Sequence, residues 1–226
     1  MDEYLLDLIG RMDRPVELGK EKSLAIHRSD SWMAFREAER LDQAKHVVPL
    51  VSFIETEQRA ELRGWAYFIL GHIAKNGADA ETTQYLISRV GYERDRQPLI
   101  ILLERIKVLP KPEGMDVGPI LELLKYQELL VRHSAIRALD HCSGAEVEEA
   151  LADALDESKD PEDFMCANEV LGKIGTLRSI PFLEKRRYFN KRGFANSVGS
   201  AVAEITKRCG TWEAIQAGSV GRGKEV

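Results

Sequence analysis

The fold is decided by residues 62–73, which read LRGWAYFILGHI. Apolar or small residues recur at positions i, i+4, i+7, i+8 and i+11 of this stretch: Leu62, Ala66, Ile69, Leu70 and Ile73. Such spacing places them on one face of a 3.6-residue period and predicts an amphipathic helix. The same spacing returns further along the chain at Val131, Ala135, Ala138, Leu139 and Cys142. The stretch is therefore also predicted to be one copy of a helical repeat.

Helical patterns fill the rest of the chain in pairs, separated by Pro, Gly, Asn and Ser. The predicted helices span residues 1–12, 20–28, 32–41, 47–56, 62–73, 80–90, 96–108, 118–126, 130–142, 146–155, 164–174, 179–188 and 194–207. Asn76 and Gly77 are expected to stop the helix at 62–73, as such residues commonly do. Strand-like alternation is absent over any length, so the predicted fold class is all-α.

The second helix of each pair recurs with a nearly constant period. In-register positions follow one another at intervals of about 31–36 residues, the length of one helical hairpin; they are Ala34, Ala66, Leu99, Ala135, Ala167 and Val198. One hairpin is too thin to bury its apolar face, so about six hairpins are expected to stack. The longest interval contains Pro110–Pro119, interpreted as a longer turn rather than a hinge.

Three of these second helices share a local motif. The motif runs Leu-Arg-x-x-Ala-x-x-Ile-Leu-Gly from Leu62, Val-Arg-x-x-Ala-x-x-Ala-Leu from Val131, and Ala-x-x-Val-Leu-Gly from Ala167. It resembles the HEAT-like repeats of the armadillo superfamily, in the short form of phycobilin-lyase subunits and bacterial scaffold proteins. The ankyrin and tetratricopeptide signatures are absent. Small residues after the leucine, such as Gly71, are expected where neighbouring helices approach closely.

The resemblance covers about residues 30–208. It implies a right-handed α-α superhelix, a solenoid, of about six HEAT-like hairpins whose second helices line a concave face. The corresponding division is 1–29 for N-terminal capping helices, 30–208 for the solenoid and 209–226 for a C-terminal tail.

Composition narrows the class of protein. The 226 residues include 44% hydrophobic residues and carry a formal net charge of −5, which disfavours a dedicated nucleic-acid binder. Apolar runs are too short to span a membrane, and the start of the chain lacks the layout of a signal peptide. Three scattered cysteines do not form a disulfide framework. A cytoplasmic location without membrane association is therefore expected.

The sequence offers no catalytic set, and neither a metal nor a cofactor is expected. The tail carries a Gly-x4-Gly-Lys run like a phosphate loop, but Glu225 stands where Ser or Thr is needed. His133 and His141 are eight positions apart, about 12 Å along a helix, which is too far to share one metal. Cys142 is in register with Ile73 and is predicted to be a core residue.

Two segments have opposite charge. Residues 146–163 carry nine carboxylates against Lys159, interpreted by default as a solvated helix face and alternatively as a docking patch for a basic partner. A basic patch that could hold phosphate or an acidic protein consists of Arg178, Lys185, Arg186, Arg187, Lys191 and Arg192.

The candidate partner-binding residues lie between the core positions of the second helices. They are Trp32, Arg36, Arg40, Trp65, Phe68, His72, Ile101, Arg105, Arg137, His141 and Lys173. One row of in-register positions is cationic or imidazole-bearing except at its last member, and aromatic rings lie near its start; the row is Arg40, His72, Arg105, His141, Lys173 and Glu204. Such a groove would suit an acidic peptide or a nucleic-acid backbone. Alternatively, Trp65 and Phe68 only contact the N-terminal helices.

The leading functional hypothesis is a non-enzymatic scaffold or adaptor that binds a protein partner in the concave groove. An inhibitor or immunity-type partner of a basic toxin or enzyme is one version of it. A separate possibility is a regulatory subunit of a larger assembly, whose acidic and basic ends bind different partners. The alternative is a HEAT-like enzyme or nucleic-acid-binding protein, similar to alkylpurine DNA glycosylases or phycobilin lyases. Nucleic acid is the less favoured partner because of the negative net charge.

Overall fold

The computed structural model describes residues 2–15, 29–185, 187 and 192–210. Within that part of the chain there are twelve α-helices and no strand, so the predicted all-α class is confirmed. The predicted helical piece at 20–28 and the phosphate-loop-like run at 218–224 lie outside the described residues. The division into 1–29, 30–208 and 209–226 stays a prediction. None of the described helices has the length and apolar character needed to cross a membrane.

The helices follow one another with short connections. Their bounds are α1 Glu3–Met12, α2 Asp30–Ala38, α3 Val47–Thr56, α4 Ala60–Gly77, α5 Ala80–Val90, α6 Arg96–Ile106, α7 Gly118–Leu121, α8 Leu129–Ala138, α9 Ala145–Glu157, α10 Pro161–Ile174, α11 Ser179–Lys185 and α12 Arg192–Cys209. Two short 3-10 helices, Ala44–His46 and Glu122–Lys125, precede α3 and follow α7.

The chain divides into two compact units, Met1–Leu123 and Leu124–Val226. The first unit is built around α4, which packs against α6 and also contacts α1, α2, α3 and α5. Of the five residues that predict α4, Ala66, Ile69, Leu70 and Ile73 are buried and Leu62 is half-buried. The helix predicted from residues 62–73 therefore supplies the core of this unit.

The second unit is built around α10, which packs against α8 and α12. The shorter helix α9 contacts both α10 and α11, and α11 contacts α12. The apolar face predicted from Val131 is buried, including Cys142, which confirms that this cysteine is a core residue.

Acidic and hydroxyl side chains set the start of several helices by accepting backbone N–H groups that have no partner within the helix. The Ser29 side chain accepts from Trp32 N, and the Asp79 side chain accepts from Glu81 N and Thr82 N. Glu128 does the same for Val131 N at the start of α8. The predicted starts of these three helices, at residues 32, 80 and 130, lie within two residues of the observed ones.

Helix ends differ more from the predictions. The left-handed residue that closes α4 is Ala78, with φ of 50°, rather than Gly77. Helix α8 ends at Ala138 instead of continuing to Cys142, and His141 takes a positive φ of 62°. The helix predicted at 118–126 is an α-helical turn, α7, followed by a 3-10 turn.

Glycines mark the closest helix contacts, as expected. A Cβ added to Gly71 in α4 would lie 2.6 Å from the Cβ of Arg105 in α6. A Cβ added to Gly172 in α10 would lie 3.1 Å from the Cα of Ala201 in α12. Both distances are below ordinary van der Waals separation, so these glycines allow the central helix of each unit to approach its neighbour.

Candidate binding surface

Four of the predicted groove residues, joined by Phe35, form one cluster in the first unit. We call Phe35, Trp65, Phe68, His72 and Arg105 the aromatic–cation cluster. Phe35 meets the rings of Trp65 and Phe68 edge-on, with centroids 5.2 and 5.3 Å apart. The Arg105 guanidinium lies over the Phe68 ring at 4.9 Å, and the His72 ring is 4.6 Å from Phe68. The rings and the cation are all half-buried, so part of each faces solvent.

Helix geometry places these side chains together. Trp65, Phe68 and His72 are at i, i+3 and i+7 of α4 and therefore share a face. Arg105 reaches them from α6, and the absence of a side chain at Gly71 lets its stem lie directly against α4. Phe35 comes from α2; the sequence analysis missed it because it falls one position out of register with the repeat.

The electrostatics of the cluster are set by burial. Burial, together with the charges of Arg105 and Lys75, lowers the pKa of His72 to about 4, so its imidazole is neutral near pH 7. Arg105 Nη1 lies 2.8 Å from His72 Nε2. A guanidinium only donates hydrogen bonds, so Nε2 accepts and the proton of His72 resides on Nδ1.

The positive charge of Arg105 is only partly compensated by neighbouring carboxylates. Burial lowers its pKa, and the carboxylates of Glu104 and Glu39 offset that effect only in part. Its close neighbours are instead an aromatic ring and a neutral imidazole. A half-buried cation in such surroundings attracts an incoming carboxylate, because no full counter-charge has to be displaced.

Trp65 also meets the N-terminal segment, as the alternative interpretation of this residue expected. Its Nε1–H donates at 3.2 Å to Oδ1 of Asp13, the residue that follows α1. Arg59 donates to the other carboxylate oxygen of Asp13 at 2.9 Å. The indole is therefore held in place by a hydrogen bond while it contacts Phe35.

The other predicted groove residues of the first unit vary in exposure. Trp32 is half-buried, and Arg40 is exposed. Arg36 is exposed and forms an ion pair with Glu39. Ile101 is half-buried and packs close to α4, since a Cβ added to Gly64 would lie 3.0 Å from Ile101 Cδ1.

In the second unit, carboxylates balance the predicted cations. Lys173 Nζ lies 2.7 Å from Asp140 and 3.0 Å from Glu169, and Arg137 lies 3.6 Å from Glu162. His141 is exposed. Arg137 and Lys173 therefore present less free positive charge than the sequence row indicates.

The arginine that follows the first motif residue has a structural role that sequence analysis missed. Arg63 donates to Glu93 and Asp95, which precede α6, and Glu93 is also hydrogen-bonded by the buried Tyr67 hydroxyl at 3.2 Å. In the second unit Arg132 donates to Asp160 and Asp163 at the start of α10. Arg63 thereby joins α4 to the residues before α6, and Arg132 joins α8 to the start of α10. The acidic residues 28–32 positions later were the available signal.

The default interpretation of the acidic segment as a solvated face is wrong for two of its members. Asp163 is fully buried and Glu148 is 9% exposed. Glu148 accepts from the backbone and hydroxyl of Thr176 at 2.9 and 3.1 Å and from the Ser179 hydroxyl, so it holds the start of α11. These two carboxylates lie inside the fold because specific donors satisfy them.

The basic patch is described only in part. Arg178 is exposed, Lys185 Nζ lies 3.8 Å from Asp156, and Arg187 lies 2.6 Å from Glu184. Arg186, Lys191 and the Arg192 side chain lie outside the described part of the structure.

Comparisons with known proteins place the chain by fold and not by family. No family model matches the chain, and no curated protein matches it. The crystal structure of an engineered protein, a target of the Northeast Structural Genomics Consortium, is similar with a TM-score of 0.51. The two sequences are 17% identical, and the match covers 92% of this chain and 98% of that chain. At this identity the similarity concerns the fold alone, and the class that is established is all-α.

Proposed function

We propose that the chain is a non-enzymatic binding module, built as a solenoid of HEAT-like hairpins, that binds an acidic segment of a protein partner at the aromatic–cation cluster. The packing order supports the solenoid. In the first unit α2 packs against α4 and α4 against α6; in the second, α8 packs against α10 and α10 against α12. Each of these is the second helix of a predicted hairpin, and stacking in chain order is the rule in repeat proteins.

The observation that carries the proposed binding is the environment of Arg105. Arg63, Arg132 and Lys173 each contact carboxylates directly. Arg105 instead lies between the Phe68 ring and the neutral His72 imidazole. A partner carboxylate would gain a charge-assisted hydrogen bond there, and aromatic rings beside it would contact apolar partner side chains.

Peptide selection tests this proposal without knowledge of the natural partner. Short random peptides displayed on phage are selected against the folded protein, and we expect carboxylate-rich peptides to be enriched. Synthetic copies labelled with fluorescein then give Kd by anisotropy. Arg105→Gln should raise Kd about 10- to 100-fold, the value of one charged hydrogen bond of roughly 1.5–3 kcal/mol.

Lys45→Gln is the matched control, because Lys45 is an exposed cation of the same unit outside the cluster. Its Kd should equal that of the wild type. Enrichment of peptides without acidic residues, or equal Kd for Arg105→Gln and wild type, would contradict the proposal. Salt-dependent binding of duplex DNA that Arg105→Gln weakens, without acidic-peptide binding, would favour the nucleic-acid alternative.

A further inference from the structure

A second group of polar side chains lies inside the second unit, where α8 meets the start of α10. His133 Nε2 is 3.0 Å from Asp163 Oδ1 and 3.3 Å from Asp160 Oδ2. The three donor atoms all lie within 4.8 Å of one another. The side chains of His133 and Asp163 are 10% and 0% exposed.

Two of these buried atoms make no hydrogen bond. His133 Nε2 and Asp163 Oδ1 face each other at 3.0 Å, but neither atom has a hydrogen-bond partner with acceptable geometry. Leaving buried polar atoms in this state costs about 1–3 kcal/mol each, so the arrangement requires a physical reason.

The remaining atoms of the two carboxylates are already bound. Asp163 Oδ2 accepts from Arg132 Nε at 2.7 Å and from the Ser158 hydroxyl. Asp160 Oδ1 accepts from Glu162 N at 3.0 Å, and Asp160 Oδ2 accepts from Arg132 Nη2 at 3.4 Å. Each carboxylate is thus held by protein donors with one oxygen toward His133, as outer partners orient the ligands of a metal site; only Asp163 Oδ1 is without a donor among the described residues.

The first unit shows that the imidazole is not needed for the ion pairs. Arg63 is in register with Arg132 and binds Glu93 and Asp95 in the same way. The position in register with His133 is Gly64, where an added Cβ would meet Ile101 Cδ1 at 3.0 Å. In the first unit, therefore, the ion pairs between the arginine and the carboxylates form without a histidine at this position, and His133 is not needed for them.

We propose that His133, Asp160 and Asp163 bind one divalent transition-metal ion, with Zn²⁺ a suitable species. Imidazole and carboxylate are ligands that Zn²⁺ accepts at about 2.0–2.2 Å. With such bond lengths, donor separations of 3.0 and 3.3 Å correspond to ligand–metal–ligand angles of about 90–110°. Two carboxylates and Arg132 sum to one negative charge, which a divalent cation converts to one positive charge.

A cleft reaches one member of the group, Asp160. Its volume is about 530 Å³, and Arg132, Ser158 and Asp160 are among its lining residues. Three protein ligands leave at least one coordination position for water or another small molecule, which is the ligand count of open zinc sites. The proposal assigns the entry of the ion to the Asp160 side of the group, where the cleft also leaves space for that additional ligand.

Calorimetric titration with ZnCl2 tests the proposal on protein first treated with a chelator and dialysed. The wild-type chain should bind one Zn²⁺, and Co²⁺ in its place should give a visible ligand-field absorption band. Asp160→Asn and His133→Gln should each weaken Zn²⁺ binding by about 10- to 100-fold or more, since each replaces a ligand with a neutral amide, a weaker ligand for this ion. Zn²⁺ should also raise the Tm of the wild type and leave that of Asp160→Asn unchanged.

The matched control is His141→Asn, which removes the exposed histidine nearby and places at the positive φ a residue that tolerates it. It should bind Zn²⁺ as the wild type does. Circular dichroism confirms that each variant is folded, and Asp160→Asn carries the test should His133→Gln fail to fold. Absence of saturable binding in the wild type, undiminished binding by Asp160→Asn, or equal loss in His141→Asn would overturn the proposal.

Discussion

Replacing Gly71 by Ala tests the contact on which the first unit depends. The added Cβ would lie 2.6 Å from Arg105 Cβ and 2.8 Å from Arg105 Cγ. Ordinary carbon–carbon contact is about 3.5–4.0 Å. Arg105 Cβ is fixed to the backbone of α6, so it cannot rotate away, and α6 has to move by roughly 1 Å from α4.

The magnitude follows from two opposing terms. Overpacking of this kind costs about 1–3 kcal/mol, and alanine in place of glycine within a helix returns up to about 1 kcal/mol. We expect Gly71→Ala to lower the free energy of unfolding by about 1–2 kcal/mol. Gly10 in α1 has no atom within 4 Å of its added Cβ, so Gly10→Ala should stabilise by about 0.5–1 kcal/mol.

Urea unfolding followed by tryptophan fluorescence is the assay, because Trp32 and Trp65 both lie in the first unit. Linear extrapolation gives the two free energies, and equal m-values make the midpoints directly comparable. The two alanine variants should shift the midpoint in opposite directions. If Gly71→Ala proves as stable as Gly10→Ala, the close packing of α4 on α6 is incorrect.

Three further predictions concern stability. Leu70→Ala removes a fully buried side chain and should cost about 2–5 kcal/mol in urea unfolding; an unchanged midpoint would contradict the assigned helix face. The pKa of His72 in the folded protein is about 4, below its ordinary value of 6.5. As pH falls, His72 is therefore protonated in the unfolded chain before it is protonated in the folded one. Stability should therefore be full above about pH 6.5 and decline toward pH 4, by about 1–2 kcal/mol after allowance for solvent screening of a half-exposed group. His72→Gln should show a smaller decline in midpoint over this range, and an identical pH profile would refute the assignment. Glu148→Ala should cost about 1–3 kcal/mol by freeing the donors of Thr176 and Ser179, whereas Glu149→Ala, an exposed neighbour, should stay within about 0.5 kcal/mol; thermal melts that rank them otherwise would exclude the proposed role of Glu148.

Local pattern was sufficient for much of the helical framework. The predicted helices at 47–56 and 80–90 have the bounds observed for α3 and α5. The signals that predict these two helices, the apolar spacing and the residues at the helix start, are all local in sequence. Such local signals are sufficient to specify a helix. Helix ends were less predictable, because closing residues such as Ala78 respond to packing as much as to their own preference.

The sequence predicted four of the five residues of the aromatic–cation cluster. Repeat register placed Trp65, Phe68 and His72 on one face and added Arg105, but Phe35 gave no periodic signal. The proposed site at His133 gave no signal in the spacing of the histidines, because its other ligands are carboxylates. Its carboxylates are 27 and 30 positions away, a spacing that gains meaning only when α8 packs against α10.

By itself, the sequence determined that the chain is helical and which side chains turn inward, since both depend on neighbours within two helical turns. Tertiary structure decided which polar groups are buried and which partners they contact. Arg105 and Lys173 occupy equivalent positions in the predicted repeat, yet Arg105 lies over the Phe68 ring and Lys173 contacts two carboxylates. Asp163 and Glu148 belong to one acidic run, yet both are buried. Charge and pKa depend on burial and on partners about thirty residues away, and only the packing of successive helices brings those partners within reach.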